Sequence, residues 1–361
     1  MPEKILILSN SSSGLYDFRK ELISELLKEN EVISSVPAAE KAEDIVELGS
    51  ELVDTEIDRR GVNPITDLGL LIRYFKLMKK LKPDLVITYT IKPNVYGGML
   101  SRLLRIPYAA NITGLGTAFQ KKGALRRLIS GMYKTALKKA KVVFFENPGN
   151  MQTLVKEKIV SKEQCCVLNG AGVNLEHFAF STYPKEESET NFLFVGRVMQ
   201  EKGVEELFYA MQKLNAEGKQ CKLDILGYYE ENYGERIKQY TDEGWLRFHG
   251  YQLDVRPFIE KSHCFVLPSY HEGMANTLLE CGAMGRPLIT SNIHGCLEAV
   301  CDGESGYICQ VKSGEATYEA MKKFTELPYE AKCEMGKKSH DYVSGRFDKK
   351  LVVEETIKRL L

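Results

Sequence analysis

No stretch of this 361-residue chain runs to 18 apolar residues, so no segment reads as a membrane-crossing helix. Its nine cysteines are odd in number and include no Cys-x2-Cys pair, which argues against a disulfide framework and points to reduced thiols in a cytoplasm. There is no Asp-x-Asp and no His/Cys cluster with ligand spacing, so the expectation is a metal-independent protein with no cofactor. Net charge is also missing, 49 Lys and Arg balancing 49 Asp and Glu, so bulk composition says globular and nothing about partners. All six histidines, His177, His249, His263, His271, His294 and His340, lie in the second half of the chain or just before it.

One absence is local. Between Leu85 and Phe145 there is no Asp or Glu, yet eleven Lys and Arg residues occur, leaving −11 for the rest of the neutral chain. Within this block Leu125, Leu128, Ile129, Met132, Tyr133, Ala136 and Leu137 recur at helical spacing. A basic amphipathic helix of this kind suits an anionic bilayer surface, with Lys121, Lys122, Arg126 and Arg127 facing it. A helix whose apolar stripe packs on its own domain carries the same pattern. Nucleic acid is not expected, because no reading motif and no interleaved aromatics accompany the charge.

Strand and helix signals alternate throughout. Ile5–Leu8, Glu31–Val36, Asp84–Thr88, Tyr108–Asn111 and Val142–Phe145 read as strands of a first series. The opening Met1-Pro2-Glu3-Lys4 leads straight into the first of them, with an apolar part too short for a signal peptide. A polar segment, 181–190, reads as a linker. A second series follows: a strand starting near Phe192, then Lys222–Leu226, Leu246–His249, Cys264–Leu267 and Pro287–Thr290. Two βαβ series predict an α/β protein of two doubly wound, Rossmann-like parallel-sheet domains, 1–180 and 191–345, with a final helix in 346–361.

The most telling stretch is His271-Glu272-Gly273-Met274-Ala275-Asn276-Thr277-Leu278-Leu279-Glu280, followed by Cys281-Gly282-Ala283-Met284-Gly285-Arg286-Pro287. The buried strand Cys264–Leu267 ends at Pro268, and helical spacing resumes from Thr277. The turn between them leaves free N–H groups around Asn276, Thr277 and Leu278, at the positive end of a helix dipole, which suits a phosphate. Glu280 lies about 6 Å further along the helix axis. One carboxylate on each side of a phosphate site can grip the hydroxyls of a sugar and of a ribose. A second motif runs upstream, where the strand Asn191–Val195 enters Gly196-Arg197, then Glu201-Lys202-Gly203 and a helix.

Glu-x7-Glu embedded in this setting, together with Gly-Arg…Glu-Lys-Gly, resembles the retaining glycosyltransferases of family 4. The likeness extends over essentially the whole chain and implies a GT-B architecture, with facing domains that hold a nucleotide sugar and a last helix that crosses back to the first. It implies that Arg197 and Lys202 hold the donor diphosphate and that Gly14, in the loop after the first strand, lies near it. It further implies that Glu272, Gly273 and Met274 contact the donor sugar, that Glu280 binds the ribose, and that Gly250 and Tyr251 hold the base. Fixed cations beside a helix N-terminus stabilise the charge left on a departing diphosphate. The motifs at 58–64, 90–98 and 111–119 resemble a bacterial subgroup. Its N-acetylgalactosaminyl- and galactosyltransferases extend undecaprenyl-diphosphate-linked sugars for capsule, O-antigen or oligosaccharide assembly. The expected partners are therefore a UDP-sugar, a lipid-linked saccharide acceptor and the inner face of the cell membrane.

The chain departs from the family at one point. Many members carry a histidine near the reacting sugar in the first domain, and this chain has none there. Asn111 and Thr113 occupy that loop and, with Lys92, are the candidates for the acceptor side. The mechanism implied is same-face attack with retention, the diphosphate oxygen taking the acceptor proton while Glu272 stabilises developing positive charge. Two alternatives remain: a nucleotide-sugar epimerase of the same architecture, against which the Gly-Arg…Glu-Lys-Gly and Glu-x7-Glu combination argues, and a catalytically silent nucleotide-sugar-binding partner, against which the presence of both glutamates argues.

Overall fold

The computed structural model describes residues 2–58, 63–116, 119 and 123–361, apart from the side chains of 124 and 125. Lys121 and Lys122, and parts of the 58–64 and 111–119 motifs, lie outside the described residues. By internal contacts the chain forms two units, Met1–Ala171 with Lys349–Leu361, and Gly172–Asp348.

The first unit holds seven strands: β1 (Lys4–Leu8), β2 (Glu31–Val36), β3 (Glu51–Asp54), β4 (Leu85–Tyr89), β5 (Tyr108–Ile112), β6 (Val142–Phe145) and β7 (Cys165–Val167). They lie parallel in the order β3-β2-β1-β4-β5-β6-β7. The second unit holds β8 (Thr190–Val195), β9 (Cys221–Leu226), β10 (Leu246–Phe248), β11 (Cys264–Leu267), β12 (Leu288–Ser291) and β13 (Gly306–Cys309). These too are parallel, in the order β10-β9-β8-β11-β12-β13. Both sheets are doubly wound, as the two βαβ series predict. Their strand order reverses between β1 and β4 and between β8 and β11, which is where such sheets open a crevice for ligands.

Burial on both faces explains why the central strands are almost unbroken apolar runs; every residue of β4 is buried. Successive side chains point to opposite faces. Leu6 and Leu8 enter one cluster with Tyr133 and Leu137, while Ile5 and Ile7 enter another with Val352 and Leu360. The last two residues belong to the Lys349–Leu360 helix, which explains why the chain's end belongs to the first unit.

The basic helix, Ala124–Leu137, places its apolar stripe inward. Tyr133 and Leu137 are fully buried in the first unit's core, and Ile129 and Met132 pack against it. The stripe therefore packs on its own unit, the alternative that the same pattern allows, and Leu128 alone of its described large residues stays exposed.

Residues 172–190 belong to the second unit, so the polar segment at 181–190 is strapped to it. The strap is held by Arg286, which is completely buried and has no carboxylate partner among the described residues. Its Nη2 donates to Ser181 O (2.7 Å), Ser181 Oγ (2.8 Å) and Thr182 O (2.9 Å), and its guanidinium lies over the Tyr183 ring.

Candidate active site

The two sequence motifs meet at the switch point of the second sheet, because β8 leads into Gly196-Arg197 and β11 leads toward Glu272. Backbone contacts stitch the two loops together: Tyr270 N donates to Glu201 O (2.8 Å), and Ser269 Oγ donates to the same oxygen (3.2 Å). Gly203 makes this approach possible. Its φ is +76°, and a Cβ there would lie 2.1 Å from Pro268 O. The outcome is an ion pair, Lys202 Nζ to Glu272 Oε1 at 2.5 Å, with side chains 19% and 11% exposed. The other candidate phosphate ligand also faces an acid, Arg197 Nη1 lying 3.6 Å from Glu230 Oε2. Glu230 is fixed there by its amide, which donates to Val198 O (3.1 Å), while Val198 N donates to Tyr228 O (2.9 Å).

The helix Asn276–Ala283 starts from Ala275, whose side chain cannot cap it. Gly295 supports the turn, with a φ of +89° and a would-be Cβ only 2.6 Å from Gly273 O; Ala275 N donates to Gly295 O (2.8 Å). Of the three expected amide donors, Leu278 already donates to Ala275 O (2.9 Å), because the first turn tightens. That leaves the amides of Asn276 and Thr277, for which no acceptor is found among the described residues. Among the described residues Asn276 Oδ1 is buried without a partner, a polar atom left for something else to satisfy. Glu280 stands one turn on, half-buried. Met274 differs from the expectation: its side chain sits in the second unit's core, so only its backbone can reach a sugar. Partial desolvation holds the His271 imidazole below its usual range, so it is neutral near pH 7.

The expected base-binding segment follows β10. Gly227 N donates to Gly250 O (2.8 Å), tying the ends of β9 and β10 together, and Tyr251 is exposed. Behind them Asp224 receives bonds from Arg247 Nε (2.7 Å) and Asn191 Nδ2 (2.7 Å), and pairs with His249 Nε2 (2.6 Å). Burial alone would raise this carboxyl; the bonds outweigh it and hold it below the usual range.

The first unit's candidates are placed less simply. Gly14 lies inside the first turn of the Ser12–Leu26 helix, not in a loop, and its amide donates to the cap Ser11 Oγ (3.0 Å). Lys92 pairs with Asp67 (2.6 Å), which also accepts from Tyr96 Oη (2.9 Å). Asn111 is buried within β5 and donates to Thr88 O (3.2 Å), so its side chain serves the sheet. Thr113 is half-buried just past β5. Arg126 pairs with Glu157 and stacks over Phe119, leaving Arg127 exposed. Sequence reasoning missed Glu230, Asn10 and Thr90. Glu230 has no motif around it, and the conformation that singles out Thr90 is invisible in a sequence.

Among the described residues no group of three or more His, Cys, Asp or Glu is arranged to hold a metal ion. Two family models match the chain, Glycosyl transferase 4-like over residues 4–147 and Glycosyl transferases group 1 over residues 177–341. The N,N'-diacetylbacillosaminyl-diphospho-undecaprenol alpha-1,3-N-acetylgalactosaminyltransferase of Campylobacter jejuni is 26% identical over 336 residues, covering 88% of each chain. The UDP-Gal:alpha-D-GlcNAc-diphosphoundecaprenol alpha-1,3-galactosyltransferase of Escherichia coli is 27% identical over 288 residues, covering 74% of this chain and 73% of its own. Among solved structures, Anabaena Alr3699/HepE in complex with UDP and glucose superposes with a TM-score of 0.81 at 14% identity, covering 99% of both chains. At that identity the likeness speaks for the fold, which is the GT-B pair of parallel-sheet units.

Proposed function

Because the chain belongs to the group 1, family 4-like glycosyltransferases, we propose that it transfers a hexose from a UDP-sugar to an undecaprenyl-diphosphate-linked saccharide in bacterial surface glycan assembly. The observation that carries the donor half is the meeting of Arg197, Lys202, Glu272 and the Asn276–Ala283 helix start at one switch point. Two cations and two open amides match a diphosphate in charge and in donor geometry. In this reading Arg197, Lys202 and the amides of Asn276 and Thr277 take the diphosphate, and no metal is needed to neutralise it. Glu280 accepts from the ribose hydroxyls. Glu272 leaves Lys202 for the donor sugar and stabilises the positive charge that develops as the sugar–phosphate bond breaks, with retention at the anomeric carbon.

The lipid-linked acceptor is supported by the two relatives, both named for undecaprenol-linked substrates and matched over most of their length. Among the described residues no helix is long and apolar enough to cross a membrane. Peripheral contact with the anionic inner face is supported instead by apolar side chains left exposed beside the basic block. Leu103 and Leu128 are two of them, and Ile65, Leu68 and Ile72 line one side of the Pro64–Leu81 helix.

The test is transfer itself. A panel of UDP-sugars labelled in the sugar is offered with membrane-extracted undecaprenyl-diphosphate saccharide. Label entering the lipid fraction from one donor, in the α configuration by NMR, is the expected result. A β-linked product from an α-linked donor would overturn the retaining mechanism. Label reaching only water-soluble products would overturn the lipid acceptor.

A further inference from the structure

We infer that Thr90 and Asn10, at the strand ends of the first unit, form a subsite for the hydroxyl groups of a saccharide. The inference rests on the transferase reading, since a transferase needs an acceptor-holding surface besides its donor site.

Thr90 directly follows β4, and Asn10 stands two residues past β1. Leu8 and Thr88 pair in register, so Asn10 and Thr90 each follow a paired residue by two positions on adjacent strands. They do so at the carboxyl edge of the first unit's own switch point, where open α/β sheets bind ligands.

Thr90 is held at a φ of +72°. A β-branched side chain crowds the backbone in this region, which Gly, Asn and Asp tolerate far better. A threonine is therefore the wrong residue for the turn and has to be explained by its side chain. Among the described residues Thr90 Oγ1 is buried without a hydrogen-bond partner, and so is Asn10 Oδ1. Strained residues and unsatisfied polar atoms gather where a ligand completes them. The strain is imposed from behind. Asn94 N donates to Thr90 O (2.9 Å), and Pro93–Gly97 close a π-helical turn, a rare element frequent at functional sites. The Asn94 side chain locks that turn, accepting from Thr88 Oγ1 (2.6 Å) and donating to Asn111 O (2.8 Å).

The chemistry of the pair selects the ligand. Both groups are neutral, and the nearby cation Lys92 is engaged by Asp67. The second unit's switch point presents Arg197 and Lys202 and suits phosphate; this one does not. A hydroxyl that both donates and accepts, next to a carboxamide, matches the hydroxyls of a sugar ring.

Thr90→Gly, Thr90→Asn and Asn10→Ala test this with three readings: thermal midpoint, UDP affinity by calorimetry, and UDP release against concentration of extracted undecaprenyl-diphosphate saccharide. Relief of the strained turn predicts that both Thr90 variants melt at or above the wild-type temperature, with unchanged UDP affinity. All three variants should raise the acceptor KM about two- to twelve-fold, the range for one lost hydrogen bond. A midpoint several degrees lower in both Thr90 variants would show that the threonine serves the fold, and an unchanged acceptor KM would show that the hydroxyl touches no substrate; either overturns the inference. Wild-type protein that binds no UDP would instead sink the transferase reading and the saccharide occupant with it, an outcome the calorimetry separates from the other two.

Discussion

Lys202 Nζ lies 2.5 Å from Glu272 Oε1, so a residue expected to hold the diphosphate and one expected to face the sugar are bonded to each other. Both side chains are largely buried, so separating them leaves two desolvated charges that need new partners. In the proposed reading, donor binding parts them. Lys202→Ala removes a charge-assisted phosphate contact and should weaken UDP binding about 10- to 100-fold. Glu272→Ala releases the lysine, so UDP should bind at least as tightly, while kcat falls about 100- to 1000-fold. Calorimetry with UDP and initial-rate kinetics on the two variants check this opposed pattern.

Glu280 has a different expected signature. It stands one turn inside the helix whose first amides face the phosphate site, away from the reacting bond. Glu280→Ala should raise the Kd for UDP about tenfold through two lost ribose bonds and change kcat little. Glu280→Gln, which keeps an acceptor oxygen, should recover part of the affinity.

Glu230 pairs with Arg197, so in the proposed reading it competes with the donor for that arginine. The arginine is more than a third exposed, so solvent screens the pair and the effect is small. Glu230→Gln should tighten UDP binding about two- to five-fold, and the gain should vanish in an Arg197→Ala background.

His263 sets an acid limit on the second unit. Burial pushes its imidazole below the usual range, and the neutral ring's Nδ1 accepts from Asn191 N (3.0 Å) in β8. An unfolded chain takes up that proton below about pH 6.5, while the folded chain resists. The contribution is therefore present above that pH and is lost as pH falls, at up to about 1.4 kcal/mol per unit. Denaturant titrations between pH 7 and 5 should show a shallower decline for His263→Asn than for wild type.

The central strands and the donor motifs were legible because burial on both faces writes an apolar run, and because tight loops demand glycine at 203 and 285. The strands that escaped notice, β3, β7 and β13, are all sheet edges, three or four residues long, too short to write a periodic signal. The basic helix was ambiguous for a physical reason: an amphipathic stripe states that something apolar covers it, not what. Arg286 reads as a helix stop in the sequence, yet it anchors the 181–183 strap through carbonyls that no local pattern reveals. The Lys202–Glu272 bond joins residues 70 positions apart, and only the sheet order brings them together.

The most direct test of the account is UDP release from one UDP-sugar, measured for wild type and Glu272→Ala with and without extracted undecaprenyl-diphosphate saccharide. The account predicts release that requires the lipid-linked acceptor and disappears in the variant while UDP binding persists. Release of equal size without acceptor, or unchanged in Glu272→Ala, would contradict it.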